Sequence, residues 1–189
     1  MPTRLRPSPP VRAVLLALCV VAGAALVLVS PIIWLAMVDP FGGGAHPTDA
    51  ALLAQFREKR AVLEQLVAMT DQDRGLQRVG PDFTRPEQPE TIGISADRIA
   101  LYRRRCIEAG IAEGLSRYGQ GVTFLVHARG LGIAGSSKGF VHRVGADDDA
   151  TIVDGDLDAA VAAVAVAKTR GVLLRRLIEG NWWLELDMR

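Results

Sequence analysis

Residues Ala128–Val144 read ARGLGIAGSSKGFVHRV, with Gly130, Gly132 and Gly135 in the spacing G-x-G-x-x-G and Ser136, Ser137, Lys138 and Gly139 straight after. A dinucleotide-binding turn needs a strand before its first glycine and a helix after its third, because the helix N-terminus holds the pyrophosphate. The strand is present: in VTFLVHA, 122–128, Val122, Phe124, Val126 and Ala128 fall on one face and Thr123, Leu125 and His127 on the other. The helix is missing, since Gly139 weakens a first helical turn and FVHRV, 140–144, alternates like a second strand. A P-loop fails too, because Lys138 stands between Ser137 and Gly139. The stretch predicts two strands joined by a turn at Arg129-Gly130, with the later glycines permitting a bulge or a close backbone approach.

Outward from this pair, VLLRRLIE (172–179) and WWLELDM (182–188) also alternate, and Gly180-Asn181 between them has the spacing of a two-residue hairpin turn. Upstream, residues 48–73 carry Leu52, Phe56, Leu63, Leu66 and Val67 at helical spacing behind Thr48 or Asp49 as N-cap. A second helix starts at Ser95, with Asp97 in its first turn, and stops at Gly110. Three prolines make 80–89 an extended crossing loop, and the alanine-rich run 156–171 predicts a shorter third helix. The expectation is an α+β domain, two main helices packed on a mostly antiparallel sheet of four or five strands.

The N-terminus differs in kind. Ala13–Val38 carries no charge over 26 residues, enough for a helix of ~39 Å against a hydrocarbon core of ~30 Å. Arg4, Arg6 and Arg12 precede it and the first charge after it is Asp39, so residues 1–12 are expected in the cytoplasm, 13–38 as a transmembrane helix, 39–47 as a flexible tether and 48–189 as an extracytoplasmic domain. That corresponds to a single-pass bacterial inner-membrane protein with a periplasmic domain. The alternative is a secreted domain released by cleavage after Ala24. It fits less well, because signal peptides have apolar regions of about 7 to 15 residues, and the new N-terminus would still be strongly apolar.

Three of the 22 basic side chains precede Asp39, leaving 19 basic against 21 acidic. Such a domain has no excess charge for a phosphate backbone, which excludes nucleic acid as the expected partner. Cys19 lies in the apolar run and Cys106 in a helix, so no disulfide is expected.

Candidate chemistry is sparse. Gly135–Gly139 spells G-x-S-x-G around Ser137, but a nucleophile elbow needs a helix after the serine. Ser136 or Ser137 with His127 or His142 and one of Asp147, Asp148 and Asp149 is the other hydrolytic arrangement, while His46 sits in the tether, away from any expected site. Asp154, Asp156 and Asp158 begin like a calcium loop, yet its sixth and twelfth positions are Ala159 and Ala165. No metal, cofactor or enzymatic activity is therefore expected. The candidate anion or ligand contacts are Ser136, Ser137 and Lys138, and the candidate interaction surface is Trp182 and Trp183, whose adjacency sends one to the core and one to the opposite face.

At GSSKGF (135–140), GNW (180–182), Ile94-Ser95 and Tyr102-Arg103 the chain resembles small membrane-anchored bacterial proteins of uncharacterised kind, in which a GSSKG-aromatic strand precedes a C-terminal GNW hairpin. The resemblance implies architecture and location, and brings no activity. The functional expectation is a binding or accessory domain whose partners are the membrane and another envelope protein. The alternative is an anion- or nucleotide-binding domain using Gly130–Gly139.

Overall fold

A computed structural model of the chain describes residues 44–131, 134–144, 150–166 and 171–188. The predicted span 13–38 and most of the predicted tether lie outside the described residues. Among those described, no helix is long and apolar enough to cross a membrane.

Helix α1, Asp49–Gln72, starts where Thr48 Oγ1 accepts from the Ala51 amide at 3.3 Å, and buries Leu52, Phe56, Leu63 and Leu66 along one stripe. Strands β1, Arg78–Val79, and β2, Thr84–Arg85, follow, then a 3-10 turn Pro89–Ile92. Helix α2, Ala96–Ala109, is capped by Ser95 Oγ on the Arg98 amide at 3.2 Å and ends at Gly110 with φ +72°, whose amide bonds back into the last turn. Strands β3, Leu115–Tyr118, β4, Gly121–Leu131, and β5, Ala134–His142, form a meander. Then come β6, Thr151–Ile152, helix α3, Leu157–Val166, and the hairpin β7, Val172–Glu179, with β8, Trp182–Met188.

The expected sheet of four or five strands is corrected by this structure. Its described residues form eight strands in the order β2-β1-β3-β4-β5-β8-β7-β6, packed with three helices, the third lying within the alanine-rich run. The sheet is mixed, since β6 pairs parallel to β7 through α3, the kind of crossover a parallel pair requires. Strands β1, β2 and β6 have two residues each, too few for an alternating pattern to show. Two of them, β2 and β6, are the sheet edges, where a short strand offers little template for edge-to-edge pairing. The proline-rich crossing segment 80–89 contains β2 and the first residue of the 3-10 turn, so it is not wholly loop.

One sheet face meets the helices. Phe56 of α1 stands over Phe140 and Trp182 at ring-centroid distances of 5.8 and 5.3 Å, and Phe124 lies 5.7 Å from Trp182. These contacts make an aromatic centre for the core. The end of α1 is tied to α2 through Asp73, whose Oδ2 accepts from Tyr102 Oη at 2.8 Å and Arg98 Nε at 2.7 Å.

The G-x-G-x-x-G stretch is strand on both sides, with Gly130 paired to Gly135 and Leu131 to Ala134, so Arg129-Gly130 is not the turn. The register shifts between Leu125 and His127, leaving Val126 as an extra residue in β4. Gly139 accounts for the sequence requirement there: a Cβ at this position would collide with the Phe124 carbonyl oxygen of the bulged strand. By inserting one residue, the bulge reverses the phase of β4 beyond it. His127 pairs with Lys138 and joins the helix-covered face, opposite to the side its alternation predicts.

Candidate functional site

Alternation along β5 divides the predicted ligand residues between faces. Ser136 and Lys138 share the helix-covered face with Phe140, whereas Ser137 lines a 390 Å³ cleft on the other. Lys138 is fully buried, with Nζ 2.8 Å from Asp49 Oδ1 and 2.6 Å from Asp158 Oδ1. Asp49, 1% exposed at the first turn of α1, also accepts from the Leu157 amide at 2.8 Å and lies 3.3 Å from Arg176 Nη1. Two cations and two carboxylates thus balance where α1, α3 and β5 meet, which makes burial of the charge tolerable. The ammonium expected to hold an anion is engaged by carboxylates instead.

Asp49, Asp156 and Asp158 bring carboxylate oxygens within 4.8 Å of one another, but Lys138 supplies the cation for two of them. Asp156 acts as a cap, Oδ1 accepting from the Ala159 amide at 3.1 Å. Asp147, Asp148 and Asp149 lie outside the described residues.

Beside Lys138 a second polar group assembles from residues the sequence keeps apart. His46, just ahead of α1, places Nε2 2.7 Å from Ser136 Oγ and Nδ1 2.9 Å from His127 Nδ1. Arg129 Nε donates to the same Ser136 Oγ at 3.1 Å. A guanidinium can only donate, so the serine accepts from it and keeps its own proton and a second lone pair for His46. In the tautomer with the His46 proton on Nδ1, Ser136 donates to Nε2 and His46 donates to His127. Partial burial, together with His127, Arg129 and Lys138, lowers the His46 pKa to about 4, with Asp158 opposing, so the imidazole is neutral at pH 7. His142, the other candidate base, stacks on Trp182 at 4.8 Å, and burial lowers its pKa as well.

Trp182 is a core residue, 4% exposed, and so belongs to no interaction surface. Trp183 is half-buried on the opposite face, its Nε1 buried without a hydrogen-bond partner. Near it the side chains of Arg175 and Glu185 pair at 2.6 Å, and burial pushes the Glu185 carboxyl up against the pull of the guanidinium.

A different cleft, unmarked by any motif, opens at the β1–β2–β3 edge. Its 640 Å³ are lined by Arg74, Arg78, Arg85 and Arg117 with Tyr118 at the rim, and no carboxylate is in the lining. Arg117 is already held by the Thr70 carbonyl at 2.6 Å and Asp71 Oδ1 at 3.1 Å. Arg78 and Arg85 are direct cross-strand partners, an arrangement that costs stability when nothing lies between the like charges. The Arg78 guanidinium is 5.0 Å from the centre of the Phe83 ring, and its Nε is buried without a hydrogen-bond partner. Sequence inspection passes over these four arginines because they come from four separate places, between positions 74 and 117.

Against known proteins, the chain matches no family model, no curated protein and no solved structure.

Proposed function

We propose that this chain is a single-pass, membrane-anchored protein whose extracytoplasmic domain acts as an accessory by binding a multiply charged anion of small-molecule size in the arginine-lined cleft. The Arg78–Arg85 pair carries the reading. Two arginines at directly paired positions of β1 and β2, both lining the cleft and one with a buried and unsatisfied Nε, match a ligand that brings negative charge and several acceptor oxygens. The cleft volume falls within the ~300–1,000 Å³ of small-molecule sites. Anchoring rests on the uncharged run 13–38 and its basic flank.

Pyrophosphate added to the purified full chain tests the binding. The expected result is a saturable rise in thermal midpoint, equivalent to about 2.7 kcal/mol at a hundredfold excess over Kd, which Arg78→Gln removes. No rise, or a rise that persists in Arg78→Gln and Arg85→Gln, contradicts it.

A further inference from the structure

Beyond anion binding, we infer that Ser136 is an acyl-accepting nucleophile, with His46 as its general base, His127 as the residue that orients that base, and small-acyl carboxylic esters as its substrate class. The geometry has the three parts such chemistry requires: a hydroxyl 2.7 Å from a ring nitrogen, a second ring 2.9 Å behind the first, and a cation on the far side of the hydroxyl. In the tautomer with His46 protonated on Nδ1, Ser136 donates to Nε2 and His46 donates to His127, which is the arrangement this chemistry uses. His127 receives that proton because the Val126 bulge turns it to the helix-covered face, where Lys138 and Ser136 also lie.

A metal site is the competing use of two convergent imidazoles. The described carboxylates that cluster near it are Asp49, Asp156 and Asp158, and no histidine belongs to that cluster. Lys138 further neutralises two of the three. Two rings without a third ligand fall short of a structural or catalytic zinc set, whereas they suffice for a proton relay.

The reaction balances without a co-reactant other than water. As Ser136 Oγ bonds to the acyl carbon, its proton passes to His46 Nε2 and the carbonyl π pair becomes an oxyanion facing the Arg129 guanidinium. Collapse breaks the ester C–O bond, and the leaving alkoxide takes the proton from Nε2. Water then attacks the acyl-serine, giving one proton to the same nitrogen; collapse breaks the acyl C–Oγ bond, Oγ takes that proton back, and the carboxylic acid leaves. Ser136 and His46 are both half-buried, so the substrate class is the one whose acyl chain needs the least room.

The charged and titratable groups facing His46 are His127 and Arg129 of β4, Lys138 of β5 and Asp158 of α3. Three of them, together with partial burial, hold its pKa near 4 and keep the base free at neutral pH.

The test is made on the purified full chain with a fluorophosphonate probe and with p-nitrophenyl acetate. The expected result is one covalent adduct, placed on Ser136 by tandem mass spectrometry, and ester turnover that Ser136→Ala abolishes and His46→Gln lowers by ~10²-fold or more. Ser136→Cys, which keeps a nucleophile at the same atom, still gives an acyl burst and excludes misfolding as the cause of the alanine result. His127 is a positioning residue: His127→Gln lowers kcat and also moves the apparent pKa of the rate profile up from about 4, which a purely structural role would leave in place. An adduct on Ser137 or elsewhere, no adduct, or turnover unchanged in Ser136→Ala overturns the assignment.

Discussion

Replacing Lys138 with methionine keeps the length of the side chain and removes its charge from a site with no solvent access. Asp49, 1% exposed, would retain the Leu157 amide and a longer contact to Arg176 at 3.3 Å, while Asp158, 43% exposed, could turn to water at little cost. Breaking a buried pair by removing one partner costs roughly 3–5 kcal/mol. The remaining Arg176 contact and the α1 N-terminus place this case at the low end, about 3 kcal/mol, or a drop of roughly 10 °C in thermal midpoint for a domain of this size. Urea unfolding of the full chain, followed by tryptophan fluorescence, reads the loss as a lower midpoint at unchanged slope. Adding Asp49→Asn removes the stranded charge, so the double variant should recover at least ~1 kcal/mol of the single variant's loss. A Lys138→Met protein within ~0.5 kcal/mol of the parent, or a double variant no better than the single one, would refute the claim that this ion pair fastens α1 and α3 to the sheet.

Three further outcomes are expected. The His46 imidazole titrates near 6.5 in the unfolded chain and near 4 in the fold, so between these values the unfolded state binds more protons. Stability therefore falls as pH drops from 6.5 to 4, and midpoints measured across that window should fall less in His46→Gln. Gly139→Ala drives a methyl group into the Phe124 carbonyl at the bulge, and its cost should exceed ~2 kcal/mol and appear as lost solubility or a lower urea midpoint. Cys106 is 5% exposed and burial raises its pKa to about 12, so in a Cys19→Ser background it should resist a thiol reagent at pH 8 until the chain is unfolded.

Both main helices were legible because their signals are local: Thr48 and Ser95 cap, Gly110 stops, and apolar residues recur at helical spacing within each segment. The β7–β8 hairpin was legible for the same reason, through Gly180-Asn181. What escaped is what depends on pairing across the chain. Two-residue strands carry no period, so β1, β2 and β6 were invisible and the sheet was undercounted. The bulge at Val126 depends on Gly139 in the next strand, and it sent His127 to the face opposite the one its alternation indicated. His46 looked like part of a tether because nothing near it in sequence needs it, while its hydrogen-bond partner Ser136 is 90 residues away. Lys138 was singled out as an anion contact, whereas its partners in the fold are Asp49 and Asp158, which spacing alone could not indicate.

The anion-binding claim is tested most directly by following the arginine Nε–H resonances of the labelled full chain as pyrophosphate is added. The account predicts saturable shifts of Arg78 and Arg85, sharing one dissociation constant, with Arg175, buried against Glu185, unmoved. Resonances of Arg78 and Arg85 that stay in place at millimolar pyrophosphate, or that move no more than exposed arginines such as Arg104, would contradict it.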